Sequence, residues 1–134
     1  MTTRSAEEKK KALIASMSEE RGYLPKPWLY LAEHDTDFLA AYNDVYQRAL
    51  GEGQSLSIKV RELVCSAILC FRGMEDAAAS HFKRARKHGA TIEELLEAVE
   101  TMFIPGGAPT MGTGLLALMK VIEEEQKGKD VGIK

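Results

Sequence analysis

Two adjacent helical segments joined by Arg72-Gly73 constrain this sequence more than any other stretch of it. In the first segment, Glu62 precedes an apolar run (residues 63–71) in which Ser66 is the strongly polar member. In the second segment, His81 lies on an apolar helix face with the i, i+3, i+4, i+7 spacing of a buried stripe. The other members of that face are Met74, Ala77, Ala78, Phe82 and Ala85. The pattern predicts a helical hairpin.

The hairpin is expected to bring Glu62 and His81 together. Residues equally far from the turn of an antiparallel hairpin lie at similar heights, and these two are almost equally far from Arg72. A buried carboxylate beside an imidazole is a candidate acid–base pair near neutral pH. A structural interpretation stays open from the residues alone: Glu62 could pair with Lys59, Arg61 or Ser66 at the surface, and His81 could be a satisfied core histidine.

The remaining apolar periodicity predicts an all-α fold. Further helices are expected over residues 6–21, 28–34, 36–50, 92–103 and 110–126, and the helix that carries Glu62 is expected to begin after Ser57. The third of these has a predicted inward stripe that includes Phe38 and Val45. The helix after Ser57 has a predicted stripe of Val60, Leu63, Val64, Ala67, Ile68 and Phe71. Tyr23-Leu24 is expected to tuck under the core, and the polar tail 127–134 is expected to fray.

Length and charge narrow the class of protein. The chain has 134 residues, 45% of them apolar, and no linker-like stretch, which favours one domain over residues 1–134. A net charge of −2 gives no basic footprint for nucleic acid or a membrane surface. Without a long apolar run or a signal-peptide segment at the N-terminus, we expect a cytoplasmic protein with no membrane partner.

The cysteines and histidines give no pattern typical of a metal or disulfide site. Cys65 and Cys70 are the only cysteines, and on one helix they lie about 7.5 Å apart along the axis, beyond disulfide reach. Both are interpreted as small buried hydrophobes. The three histidines are far apart in sequence without ligand spacing, so no metal and no cofactor is expected. The cations Lys83, Arg84, Arg86 and Lys87 are interpreted as a solvated face favoured by the helix dipole.

Two features could bind a substrate carboxylate. The loop around Gly107 and Thr110 could leave backbone N–H groups free at a helix N-terminus, although a plain interhelical turn explains it equally well. Arg72, beside the hairpin turn, could pair with a carboxylate.

Taken together, four motifs resemble the carboxymuconolactone decarboxylase family, which includes the AhpD-type alkylhydroperoxidases. They are L-S-x-K-x-R-E-L at 56–63, H-x-x-x-A at 81–85, G-A-T-x-E-E at 89–94 and G-x-P at 107–109. The resemblance covers about residues 22–118. It implies an AhpD-like domain of about six helices that is an obligate oligomer, a homotrimer or homohexamer.

The family divides on a thiol motif, and this sequence falls on one side of the division. AhpD-like members carry C-x-x-C-x-x-x-H, and here Met74 and Ala77 occupy the two cysteine positions, where they are candidate substrate contacts. Thr101 and Pro105 stand where decarboxylases typically have His and Tyr. The resemblance implies a cofactor-free lyase that decarboxylates a small carboxylated lactone or related acid.

In such a decarboxylase, Glu62 and His81 would transfer the proton that replaces CO₂ on the substrate. Two alternatives remain. One is an AhpD-like, peroxiredoxin-type oxidoreductase in which Cys65 or Cys70 acts from a neighbouring subunit. The other is a non-catalytic oligomeric binding protein with the same fold.

Overall fold

The computed structural model describes residues 3–22 and 24–132, and over these residues the chain is helical, without a strand. The all-α prediction is therefore confirmed. The chain divides into two compact units, residues 1–51 and 52–134. The expectation of a single domain stays a prediction.

The first unit contains three helices, α1 (Thr3–Arg21), α2 (Lys26–His34) and α3 (Thr36–Leu50). The Asp35 side chain accepts a hydrogen bond of 2.9 Å from the backbone N–H of Phe38, so Asp35 caps α3. Met17, Ala32 and Leu39 form a buried cluster, and Leu24 packs against it. The prediction for Tyr23 lies outside the described residues.

The predicted inward stripe of α3 was too wide. Phe38 and Val45 are exposed, while Leu39 and Leu50 are buried. The buried face of a helix packed on one side spans less of its circumference than an apolar pattern can occupy, so the residues at the edge of such a pattern remain in solvent.

The second unit contains α4 (Ile58–Phe71), α5 (Glu75–Lys87) and α6 (Ile92–Gly132). Ser57 caps α4 by accepting from the N–H of Val60 at 3.2 Å. Thr91 and Glu94 form a capping box, in which each side chain accepts from the other residue's backbone N–H. Gly73 has a φ of 72° in the turn between α4 and α5, where a residue with a Cβ would be strained. The predicted hairpin is confirmed.

Helix α6 is broken at one residue. Gly107 has φ 79° and ψ −179°, so the helical segments 92–106 and 108–132 meet at this residue, without the loop expected between residues 103 and 110. The break falls where Pro105 and Pro109 remove backbone donors.

The prediction of a frayed tail from residue 127 was wrong over the described part of the tail, because α6 continues to Gly132. Residues 133 and 134 lie outside the description. The C-terminal segment is rich in Glu and Lys, which are good helix formers, and its Glu124 and Glu125 pair with Lys83 and Arg86 of α5.

Residues 92–129 of α6 have the length and composition that could cross a membrane. This is weak support for a span, because the same stretch supplies Leu95, Val99, Leu118 and Val121 to the buried core of the second unit. The expectation of no membrane partner stays a prediction.

Helix α4 turns an unexpected face inward. Its buried residues are Glu62, Ser66 and Cys70, whereas four members of the predicted stripe are exposed: Val60, Val64, Ile68 and Phe71. That part of the prediction was wrong. Apolar residues surround almost all of α4, so hydrophobicity could not select the inward face. The face that carries Glu62 is turned inward, because the polar partners of Glu62 lie on α5.

Candidate acid–base site

Glu62 and His81 meet between α4 and α5. Nδ1 of His81 lies 2.6 Å from Oε2 of Glu62. The Glu62 side chain is fully buried, while the imidazole keeps 22% of its surface exposed. One ring nitrogen therefore faces the carboxylate, and part of the imidazole surface is open to solvent. The predicted proximity is present in the structure, whereas the catalytic role of the two residues stays a prediction.

A third charged residue belongs to this site and was missed from the sequence. Nη2 of Arg84 lies 3.1 Å from Oε1 of Glu62, so each carboxylate oxygen has one charged or polar partner from α5. The Arg84 side chain is only 13% exposed. Interpreting Arg84 as part of a solvated face was wrong. Its position three residues after His81, on the same side of the helix, was the available signal.

The surface pairing considered for Glu62 is not what the structure shows. Lys59 pairs instead with Glu94 at 2.9 Å. Ser66 is buried, and its hydroxyl donates to the backbone carbonyl of Glu62 at 3.0 Å and lies 3.5 Å from the carbonyl of Ala78. Ser66 thus links α4 to α5 one turn from the acid–base pair and supports its geometry.

The two cysteines lie on α4 in surroundings that disfavour thiolate formation. Burial raises the pKa of the Cys70 thiol from 9.0 to about 11. Burial, and then the negative charge of Glu62, raises the pKa of Cys65. Reactive cysteines have lowered pKa values, so neither thiol has the electrostatic setting of a peroxidatic residue. Among the side chains that the structure describes, no three His, Cys, Asp or Glu residues converge as a metal site requires.

An apolar pocket of about 350 Å³ lies between α4 and α6. It is lined by Ala67, Ile68, Phe71, Met102, Pro105, Gly106 and Thr110. At about 100° per residue, the α4 residues of this lining point roughly opposite to Glu62. The pocket and the Glu62–His81 pair are therefore on different sides of α4 in one chain.

The other predicted site residues lie at two places. Arg72 is exposed at the end of α4, where its backbone N–H bonds to the carbonyl of Ile68, and Met74 is the first residue before α5. Ala77 is half-buried one turn before His81. These three share the turn end of the hairpin.

At the break in α6, the Thr110 hydroxyl donates to the carbonyl of Gly106 at 2.9 Å, and Gly107 carries the break itself. Since residues on both sides of Gly107 are helical, the predicted open loop is absent and the non-helical backbone is confined to this one residue. Binding roles for Gly107 and Thr110 stay predictions.

Comparison with known proteins assigns the class that this site suggests. The sequence profile of the carboxymuconolactone decarboxylase family matches residues 36–120, and the chain therefore belongs to that family. The match includes Glu62, His81 and Arg84, as well as the break in α6.

Two similar sequences come from Methanocaldococcus jannaschii and Cupriavidus necator. The chain is 28% identical over 79 residues to the uncharacterized protein MJ1511 of Methanocaldococcus jannaschii, covering 59% of this chain and 74% of that protein. It is 32% identical over 71 residues to the uncharacterized protein H16_B0147 of Cupriavidus necator, covering 53% of this chain and 62% of that protein. The names of these two relatives state no activity.

A solved structure supports the fold. A crystal structure from Burkholderia xenovorans LB400, of a protein provisionally assigned as a carboxymuconolactone decarboxylase, aligns with a TM-score of 0.79. The alignment covers 93% of this chain and 97% of that one at 23% sequence identity. This likeness confirms the AhpD-like helical architecture and carries no statement about the reaction.

Proposed function

We propose that this protein is a cofactor-free lyase that removes CO₂ from a small carboxylated lactone or a related β,γ-unsaturated acid. The observation that carries the proposal is the 2.6 Å contact between His81 Nδ1 and a fully buried Glu62, with the imidazole itself reachable from solvent. Membership of the carboxymuconolactone decarboxylase family supports the reaction class.

The reaction requires a proton donor beside the carbon that loses CO₂. The C–C bond to the substrate carboxylate breaks, CO₂ leaves, and the electron pair spreads into the adjacent unsaturation. The carbon then takes a proton from Nε2 of the His81 imidazolium, which becomes neutral imidazole and recovers a proton from water. Glu62 stabilises the imidazolium through Nδ1–H and holds the ring in orientation, the usual work of a carboxylate behind a general acid.

Substrate contacts are proposed on both sides of α4. Arg72 would pair with the leaving carboxylate, and Met74 and Ala77, which precede His81 on its own helix, would line its approach. Gly107 and Thr110 lie by the pocket on the other side of α4. For them to contact the same substrate, a second copy of the chain must supply them, in line with the homotrimer or homohexamer that the resemblance implies.

The peroxidase alternative is disfavoured by the thiols. Its cysteine would have to be a thiolate at neutral pH, whereas burial raises the pKa values of both Cys65 and Cys70. The non-catalytic alternative does not explain why Glu62 is buried against His81 and Arg84, because buried charged pairs contribute little net stability to a fold.

The test is a decarboxylation assay with carboxymuconolactone and related lactone acids. Wild-type protein should turn over at least one of them, and His81→Ala should abolish turnover while leaving helicity unchanged by circular dichroism. The Cys65→Ser, Cys70→Ser double variant is the control and should retain activity within a few-fold. Peroxide turnover by the wild type that is lost in the double variant would instead establish the thiol alternative. No turnover of any lactone acid by the wild type would refute the proposed substrate class.

A further inference from the structure

We propose that Arg84 is a positioning residue that keeps Glu62 ionised, so that in the neutral ring of His81 the proton is on Nδ1 and Nε2 is bare. The two oxygens of the Glu62 carboxylate contact two different residues, which lie one turn apart on α5. Oε2 faces His81 at 2.6 Å, and Oε1 faces Arg84 at 3.1 Å. The inference rests on the proposed function only in stating which nitrogen meets the substrate.

The argument begins with the burial of Glu62. A fully buried carboxylate without a counter-charge is costly, and such a group takes up a proton instead of remaining charged. Neutral imidazole supplies no compensating charge. The guanidinium of Arg84 does, because it stays protonated at any pH a protein tolerates. Its 13% exposure means that the interaction is only weakly screened by water.

The charge state of Glu62 then determines the tautomer of His81. An ionised carboxylate can only accept hydrogen bonds, so the imidazole must donate through Nδ1–H, and Nε2 keeps its lone pair. A protonated Glu62 would donate its O–H to Nδ1, and the ring proton would move to Nε2. That state holds one proton more than the ionised pair, and Nε2 then donates a hydrogen bond instead of accepting one.

Arg84 differs from its neighbours on α5 in the partner that it contacts. Lys83 pairs with the exposed Glu124, and Arg86 pairs with Glu125, both of them on α6. Removing either cation deletes a similar charge from the same helix without touching Glu62. Lys83→Met is therefore a matched control for Arg84→Met.

The experiment is ¹⁵N NMR of protein labelled at the histidine ring nitrogens, recorded without substrate at pH 8. In wild type, long-range ¹H–¹⁵N correlations should assign a protonated Nδ1 and a bare Nε2 to His81, with His34 and His88 as references in the same spectrum. Arg84→Met should lose the bare-Nε2 signal, Arg84→Lys should restore it at least in part, and Lys83→Met should leave it unchanged. Arg84→Gln, a polar neutral replacement, should repeat the Arg84→Met result if the Met variant folds poorly.

A bare Nε2 that persists in folded Arg84→Met or Arg84→Gln would overturn the inference, and so would a wild-type ring protonated at Nε2. Because the spectra contain no substrate, the result does not depend on the decarboxylation assay. A wild-type tautomer that responds to Arg84, in a protein that decarboxylates nothing, would refute the proposed reaction while supporting the role of Arg84.

Discussion

Helix α5 carries ion pairs on two sides, and the two sides differ in how much water they meet. Towards α4, His81 and Arg84 hold a glutamate that is fully buried. Towards α6, Lys83 contacts Glu124 at 2.6 Å, where the glutamate side chain is 56% exposed, and Arg86 contacts Glu125 at 2.7 Å. Contact distances are similar on both sides, so distance alone does not distinguish them.

Desolvation does distinguish them. An exposed ion pair contributes about 0–1 kcal/mol, since water and salt screen it and two long side chains must be ordered. In a buried pair, the attraction between the charges at best offsets the free energy needed to remove them from water. Removing one partner, however, leaves the other as a buried charge without compensation. The α6 side of α5 is therefore expected to tolerate substitution better than the α4 side. Burying Glu62 is understandable if its charge serves chemistry.

The largest expected effect is that of removing the buried glutamate. Glu62→Ala should lower the free energy of unfolding by roughly 3 kcal/mol, because Arg84 and His81 lose their shared anion and a cavity remains. Urea denaturation at pH 7 followed by circular dichroism measures it. Glu124→Ala, the matched loss of a glutamate on the other side of α5, should change stability by no more than about 1 kcal/mol. Equal losses in the two variants would contradict the comparison.

An intermediate effect is expected at Arg86. Its guanidinium donates to both carboxylate oxygens of Glu125, at 2.7 and 3.0 Å, and to the backbone carbonyl of Ala90 at 2.7 Å. Arg86→Ala should therefore cost about 1–2 kcal/mol at pH 7, more than a simple surface pair. The loss is measured by urea denaturation.

This variant should also change the acid limb of the stability curve. The hydrogen bond from Arg86 lowers the pKa of Glu125 from its ordinary value of 4.5. A carboxyl group with a lowered pKa in the folded state contributes stability above the unfolded value, and that contribution is lost as pH falls through the folded value. The difference in stability between wild type and Arg86→Ala should therefore shrink below pH 4.5. A difference that stays constant to pH 3 would contradict the assignment.

The sequence predicted the Glu62–His81 contact because a short turn fixes the register of a helical hairpin, so the heights of residues on both arms follow from counting. Composition did not separate Arg84 from the other three cations within five positions, and only its spacing of three residues from His81 places it on the side of α5 that faces Glu62. The inward face of α4 was missed for a similar reason: apolar residues cover most of its circumference, and the partners that select Glu62 lie on another helix. Caps such as Ser57 and Thr91 were predictable because their partners are three residues away.

The smallest expected effect sharpens the comparison most, because it concerns the residue next to Arg84. Lys83→Met should change the free energy of unfolding by no more than about 0.5 kcal/mol in low salt, and by less at 1 M NaCl, where the Debye length falls to about 3 Å. Arg84→Met should cost several-fold more, and its cost should depend little on salt because Glu62 is fully buried. Urea denaturation of both variants at two salt concentrations separates these outcomes. A salt-sensitive loss in Arg84→Met would mean that water reaches the Glu62 carboxylate, and the two sides of α5 would then differ in degree instead of in kind.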